Sequence, residues 1–523
     1  MPDGAHPPKI EIDDTLSLAE AHGIASGQLR LELSPRAWMR CRDSHIRLSQ
    51  TIAERRHVYG LTTGFGPLAN RLVDTADGIE LQQNLIHHLA SGQGPEFDWL
   101  HARAIVLARL MSIVQGFSGA SDRSIAALLT VLQSPLSPAI PSRGTVGASG
   151  DLTPLAHLAL CLQGRGAFID RSGRRWEGPE GLNLMGLAPL DLADRDGLAL
   201  VNGTSAMTGV ALCNSVLARR LLDWSVALSA AMSETMGGRL EAWSVTFASV
   251  RPHPGQIAAT KALLARISDS SRLARVPLAS RRLEAGDLVT ETRAGQDAYT
   301  LRCAPQVIGA VWDTVNWHDS IVATELTSVT DNPIFPEDAG VPALHGGNFM
   351  GQHVGLASDS LANAVTVLAG LAERQVARLT DERLNDGLPA FLHKGSAGLN
   401  SGFMGAQVTA TALLAELRTR GPASVQSIST NGANQDVVSM GTIAARMAGE
   451  ALLRTSEIQA ILALCVAQAM DIVDADGDAG FSPSAKALLA FVRSQSATLE
   501  RDRPLGGDIA NMAMALQDAA PPP

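Results

Sequence analysis

Tyrosine is almost missing from this chain: 523 residues contain two, Tyr59 and Tyr299, and all aromatics together make up 4%. The five cysteines, Cys41, Cys161, Cys213, Cys303 and Cys465, lie far apart, are odd in number and form no C-x-x-C pair. That pattern excludes a zinc ribbon and a disulfide framework and suits a reducing compartment. Basic residues are outnumbered, with a net charge of −10. Nucleic acid and anionic membrane surfaces are therefore poor partners, since both call for clustered Lys and Arg. No segment approaches the roughly 20 uninterrupted apolar residues of a membrane span, and Met1–Asp14 lacks the basic-then-apolar pattern of a signal peptide. A soluble, cytoplasmic protein is expected.

What is present is ordinary globular material, 46% apolar and 18% charged, enough for a large core. Helical spacing dominates. Ala102–Leu132 is periodic but broken at Gly116 and Gly119, and Leu198–Met236, Val307–Leu326, Gln352–Asp381, Gly405–Arg420 and Val437–Asp474 are rich in Ala, Leu, Met, Val and Ile. Strand signals are few; an alternating piece such as Gln28–Leu33 suggests a small hairpin. The expected fold is mainly α: a flexible N-terminus (1–14), a mixed N-terminal domain (15–205), a long helical bundle (206–515) and a disordered tail (516–523). Asp474-Ala-Asp-Gly-Asp478 imitates a calcium loop, but counting from Asp474 puts alanines where Gly and the twelfth-position acid belong, so it reads as a solvated acidic turn.

Gly- and Asn-rich loops punctuate the helices, and one carries the strongest signal: Gly144-Thr-Val-Gly-Ala-Ser-Gly-Asp-Leu-Thr-Pro-Leu-Ala-His157. No Lys follows, so it is not a phosphate loop, and the spacing of Ser149 and Gly150 fails the nucleophile-elbow pattern. Thr153 is a plausible helix cap, with Pro154 in the first turn. On spacing alone a plain turn before a helix explains the stretch equally well.

The segment resembles the signature of the ammonia-lyase and aminomutase family that includes histidine, phenylalanine and tyrosine ammonia-lyases, and the likeness runs from about Ile10 to Leu505. It is strongest toward the bacterial tyrosine-directed branch. The resemblance implies that Ala148, Ser149 and Gly150 cyclise autocatalytically to a 4-methylideneimidazole-5-one, with no metal and no external cofactor. Gly at 150 suits the close approach that ring closure needs. The group is an electrophile for the substrate amine, turning ammonia into a better leaving group.

Further motifs match by resemblance. Tyr59, in His57-Val-Tyr-Gly-Leu-Thr-Thr-Gly-Phe-Gly66, corresponds to the general base of a lid loop, with Gly66 beside the substrate; its pKa of about 10 has to be lowered by neighbours to serve near neutrality. Asn202, in Leu200-Val-Asn-Gly-Thr-Ser205, supports the electrophile. Gln296-Asp-Ala-Tyr-Thr-Leu-Arg302 supplies Tyr299 and the carboxylate clamp Arg302, whose planar fork makes paired bonds. Asn332, Phe349, Asn431 and Asn434 fall at substrate-binding positions. Taken singly, each of these is more often a packing, capping or surface residue. The family often has Asn where Thr327 stands, and Ser at Thr300; the first change bears on polar support around Asn332.

Substrate choice is implied at two places. In Asn84-Leu-Ile-His-His-Leu-Ala-Ser-Gly92, phenylalanine lyases carry Phe-Leu and histidine lyases Ser-His where this chain has His88 and Leu89, and an imidazole can bond a phenol hydroxyl. Gln435 stands where histidine lyases place Glu. Deamination of L-tyrosine to trans-4-coumarate and ammonia is therefore expected, in a homotetramer whose sites draw on several chains. The rivals are a phenylalanine ammonia-lyase, a tyrosine 2,3-aminomutase and a catalytically dead scaffold.

Overall fold

The structure, a computed structural model, describes residues 7–280, 282, 295–337, 339–477 and 479–523. The first six residues of the expected flexible N-terminus, and Asp478 of the acidic turn, lie outside these. Among the described residues there are eighteen α-helices and seven short strands, the mainly α architecture anticipated.

By internal contacts the chain forms two compact units. The first comprises Met1–Val216, His318–Asp359 and Pro422–Gly449; the second Leu217–Trp317, Ser360–Gly421 and Glu450–Pro523. A split at residue 205 anticipated neither discontinuity. Four of the unit boundaries fall inside the helices Ser205–Thr235, Ala304–Leu326, Gln352–Thr380 and Gly441–Val473, so each of these contributes to both units. Gln352–Thr380 and Gly441–Val473 are also long and apolar enough by composition to cross a membrane, with most of each one's apolar window buried. Neither is an uninterrupted apolar run; a helix with scattered polar residues reaches the same mean hydropathy as an unbroken one.

In the first unit the core gathers around Trp99–Ile113, buried at every position from Ala102 to Ile113. A helix apolar on most faces must be enclosed by others. Lys9–Ile12 pairs in parallel with Arg30–Leu33, so neither the hairpin nor the flexible start is seen there. Helix Leu18–Ala25 supplies the crossover that parallel pairing requires, its N-terminus closed by the Ser17–Glu20 capping box. The stretch after Pro135 is not wholly loop: Leu136–Pro138 joins a three-stranded sheet and Pro141–Arg143 pairs with Gln93–Glu96. The following helix is Leu152–Leu162, so Asp151, which makes no side-chain capping bond, precedes it and Thr153 lies inside its first turn. A fully buried Arg195 forks onto Asp331 at 2.8 and 2.9 Å, tying the start of helix Asp196–Val201 to the loop that carries Asn332.

In the second unit the expected disordered tail is held instead. Helix Gly506–Asp518 reaches into it, Trp224 Nε1 donates to the Ala519 carbonyl at 2.8 Å, and Arg220 and Arg266 donate to Gln517 and Pro522. An Ala- and Pro-rich end shows no anchor of its own; its carbonyls find donors on other helices.

Candidate active site

Ala148-Ser149-Gly150 forms a tight turn between strand Pro141–Arg143 and helix Leu152–Leu162. Gly147, Ser149 and Gly150 all have positive φ, at 79°, 53° and 77°. For Ser149 this is a sparsely populated, strained conformation. A Cβ at Gly150 would lie 2.1 Å from the Gly203 carbonyl oxygen, so position 150 admits no side chain. The turn is docked on the Asn202–Thr204 loop: Gly150 and Gly203 form a parallel bridge, and the Asp151 amide donates to Gly203 O at 2.7 Å. The Asp151 carboxylate is buried, which pushes its pKa up to about 6. It accepts from the Met207 amide at 2.7 Å, an unpaired donor at the start of helix Ser205–Thr235, and from the Thr442 hydroxyl in the first turn of helix Gly441–Val473.

Ser149 opens onto a cavity of about 390 Å³, a size suited to a small ligand. Tyr59, Gly66, His88, Leu89, Asn202, Asn431 and Gln435 share its walls, together with Phe65, Leu85, Leu152 and Leu198. Thus motifs separated by several hundred residues meet in one space. Gln435 Nε2 donates to Ser149 Oγ at 3.2 Å. Asn202 is buried and its Oδ1 has no hydrogen-bond partner among the described residues.

The Tyr59 loop is fastened at three points. Its phenol oxygen accepts from the Gly66 amide at 2.9 Å, its own amide donates to His345 Nε2 at 3.1 Å, and Gln82 donates to the Gly60 carbonyl at 2.9 Å. Partial burial, aided by His57 and Arg195, holds His345 below the usual histidine range, which suits a neutral acceptor. Burial raises the Tyr59 pKa, and the Gly66 amide opposes it only in part. Within this chain the neighbours therefore do not supply the lowering that a base near neutrality needs.

His88 ends helix Gly78–Leu89 and its ring is kept toward the neutral form by partial burial. His87 diverges from it, 2.6 Å from Arg165, so the two do not form a metal-binding pair. Asn332 does not reach the cavity wall; its Oδ1 accepts from Gly346 at 2.7 Å. Phe349 and Asn434 are likewise absent from the wall. Thr327 turns its hydroxyl back to the Ala323 carbonyl, leaving Asn332 to Asp331 and Gly346.

Tyr299 and Arg302 belong to the second unit. Tyr299 is 70% exposed. The Arg302 guanidinium lies 4.8 Å from its ring centroid, bonds Gln296 and leaves Nε without a partner. Arg302 lines a separate cavity of about 260 Å³ with Arg239, Glu241, Gln296 and Asp297. The Thr300 carbonyl accepts from Gln375.

Gln82, Asp151 and the apolar wall went unnoticed in the sequence. Buried polar residues on helices look like surface ones, and only the position of Asp151, directly after Gly150, could have flagged it.

A sequence profile described as aromatic amino acid lyase matches residues 16–494. The chain belongs to the aromatic amino acid lyase family. Among other members of this family, it is 62% identical to a tyrosine ammonia-lyase of Cereibacter sphaeroides, covering 98% of both chains. It is 40% identical to a tyrosine ammonia-lyase of Cupriavidus metallidurans, covering 99% of this chain and 97% of that one. The crystal structure of a tyrosine aminomutase from Streptomyces globisporus superposes with a TM-score of 0.91 at 36% identity, over 98% of this aromatic amino acid lyase and 97% of its own chain.

Proposed function

We propose that this aromatic amino acid lyase removes ammonia from L-tyrosine to give trans-4-coumarate. The observation that carries the reading is that His88, Ser149 and Tyr59 line one cavity. Two relatives named tyrosine ammonia-lyase support it.

The residues around Ser149 fit a methylidene-imidazolone built from Ala148-Ser149-Gly150. The backbone is already left-handed at three positions of the Gly147–Gly150 stretch, 147, 149 and 150, position 150 has no room for a Cβ, and Asn202 brings to the same wall a buried oxygen that has no partner among the described residues. When formed, the group supplies an electrophilic carbon for the substrate amine. Asn202 and Gln435 hold it from the cavity side. Tyr59 takes the β-proton: its phenol oxygen already receives one main-chain N–H, a bond that favours the ionised form. Gly66 and Asn431 line the same end of the cavity, and Leu89 packs beside His88, whose neutral ring meets the substrate hydroxyl. Arg302 clamps the carboxylate and Tyr299 assists proton handling, each contributed by another chain of a homotetramer. The outward exposure of Tyr299 suits that arrangement. Asn332, Phe349 and Asn434 act at the substrate's periphery. The enzyme works in the cytoplasm.

Purified protein incubated separately with L-tyrosine, L-phenylalanine and L-histidine tests the proposal. Coumarate from tyrosine well above cinnamate from phenylalanine supports it. Dominant cinnamate moves the assignment to phenylalanine, and β-tyrosine among the products moves it to the 2,3-aminomutase reaction, a class the aminomutase neighbour shares in fold.

A further inference from the structure

Helix Trp99–Ile113 buries two arginines. Arg103 is well supplied, donating to main-chain carbonyls of Ala25, Val131, Ser134 and others. Arg109 is not. It is fully buried, donates from Nη1 to the carbonyl oxygen of Asn202, and has no partner for Nε or Nη2 among the described residues. Burial pushes its pKa down to about 10, Asp331 opposing this and Arg195 adding to it. A buried cation so thinly bonded is costly, and a leucine would fill an apolar helix interior at less expense. Its one bond therefore indicates its use.

That bond falls on the peptide joining Asn202 to Gly203. A Cβ at Gly203 would stand 2.7 Å from Arg109 Nη1 and 2.5 Å from Thr330 Oγ1, so the guanidinium and that hydroxyl pack directly against the Gly203 backbone. Thr330 is fixed in turn by Ser112, one turn along from Arg109, at 3.2 Å. Gly203 takes a φ of 134°, open only to glycine. On one side of the peptide, Gly203 bridges Gly150, and its own carbonyl, in the peptide that follows, receives the Asp151 amide. On the other, the Asn202 side chain faces the cavity shared with Ser149.

We propose that Arg109 is a positioning residue of the active site: its grip on the Asn202 carbonyl fixes the peptide against which Ala148-Ser149-Gly150 closes its ring and from which the Asn202 amide faces the substrate. This rests on the reading of the triad as the source of the methylidene-imidazolone. Arg109 touches neither the substrate cavity nor the triad and acts through Asn202 and Gly203.

The full-length chain, R109K and R109Q are purified, and three quantities are measured: intact mass, which reports the share of chains that have lost two waters; thermal unfolding; and kcat and KM with L-tyrosine. R109Q is expected to fold, to show a smaller ring-closed share, and to lose roughly 10- to 100-fold in kcat, the scale of a misplaced reacting geometry, with KM moving less than about threefold. R109K recovers part of both losses, because it keeps the cation. Wild-type mass and kcat in R109Q overturn the proposal. Failure of both variants to fold also overturns it, making Arg109 a core cation only; if R109Q alone fails, a folded R109K with unchanged mass and kcat overturns it. Wild-type protein that has lost two waters yet makes no coumarate overturns the tyrosine assignment and leaves the mass comparison standing. Wild-type protein that has lost no water overturns the triad reading and this inference with it.

Discussion

Ser149 sits in a backbone conformation that serine rarely adopts, and its hydroxyl is already engaged by Gln435. Ser149→Ala keeps the turn but leaves no hydroxyl to eliminate. Its intact mass should show at most one water lost, and deamination should fall roughly a thousandfold or more, as when a covalent partner is removed; near-normal turnover sinks the assignment. In the proposed reaction His88 acts by hydrogen bonding. Replacing it with Phe removes a bond worth about 1–3 kcal/mol in a buried setting, so the tyrosine-to-phenylalanine ratio of kcat/KM should drop by roughly ten- to a hundredfold. An unchanged ratio places the hydroxyl elsewhere. For Tyr59 the sign follows from burial. A phenol whose pKa is raised is mostly protonated at neutral pH, and only the deprotonated form accepts the β-proton. kcat/KM should therefore climb through the alkaline range, and a profile flat from neutrality upward excludes Tyr59 as the titrating base.

Helix Gly78–Leu89 joins two roles: its last turn carries His88, and its middle carries the fully buried Gln82. The Gln82 amide donates to Gly60 O, and its Oε1 accepts from the Leu198 amide at 2.8 Å. One side chain thus links the base loop, the helix that carries His88 and the helix that ends at Asn202. Gln82→Leu strands a carbonyl and an amide in the interior, at about 1–3 kcal/mol. The melting temperature should fall, and limited proteolysis should open the chain near Tyr59 before the rest; a wild-type digestion pattern argues that the loop is secured elsewhere. Glycine in this loop reads as freedom to move, yet a Cβ at Gly60 would strike Phe65 and Leu198 within 3 Å, so close packing also demands glycine there.

On the scale of the whole molecule, the predicted site residues divide between the two compact units. Tyr59, His88, Ser149, Asn202 and Gln435 share one cavity of the first, while Tyr299 and Arg302 lie in the second. If each site of a homotetramer draws these two groups from different chains, two inactive variants should rescue each other. Co-assembled Ser149→Ala and Arg302→Ala chains, mixed equally and at random, should restore about a quarter of the sites. No recovery in assembled mixtures argues that both groups of a site come from one chain.

The helical character, the Ala-Ser-Gly turn and the polar members of the cavity wall, such as Tyr59, His88, Asn202 and Gln435, were legible in the sequence, whereas its apolar members Phe65, Leu85, Leu152 and Leu198 were not. Helix periodicity is local, and the catalytic groups sit in glycine-rich loops whose spacing is distinctive. Histidine 88 and Gln435 could be read as a pocket only through family resemblance, because nothing local relates positions so far apart in the chain. Tertiary structure alone decided the rest. Lys9–Ile12 becomes a strand because Arg30–Leu33 offers it an edge, and the Ala- and Pro-rich tail is ordered because distant Arg and Trp side chains reach its carbonyls. Gln82, Asp151 and Arg109 matter through the backbone groups they satisfy, and a sequence shows side chains but not which carbonyl or amide lies unpaired beside them.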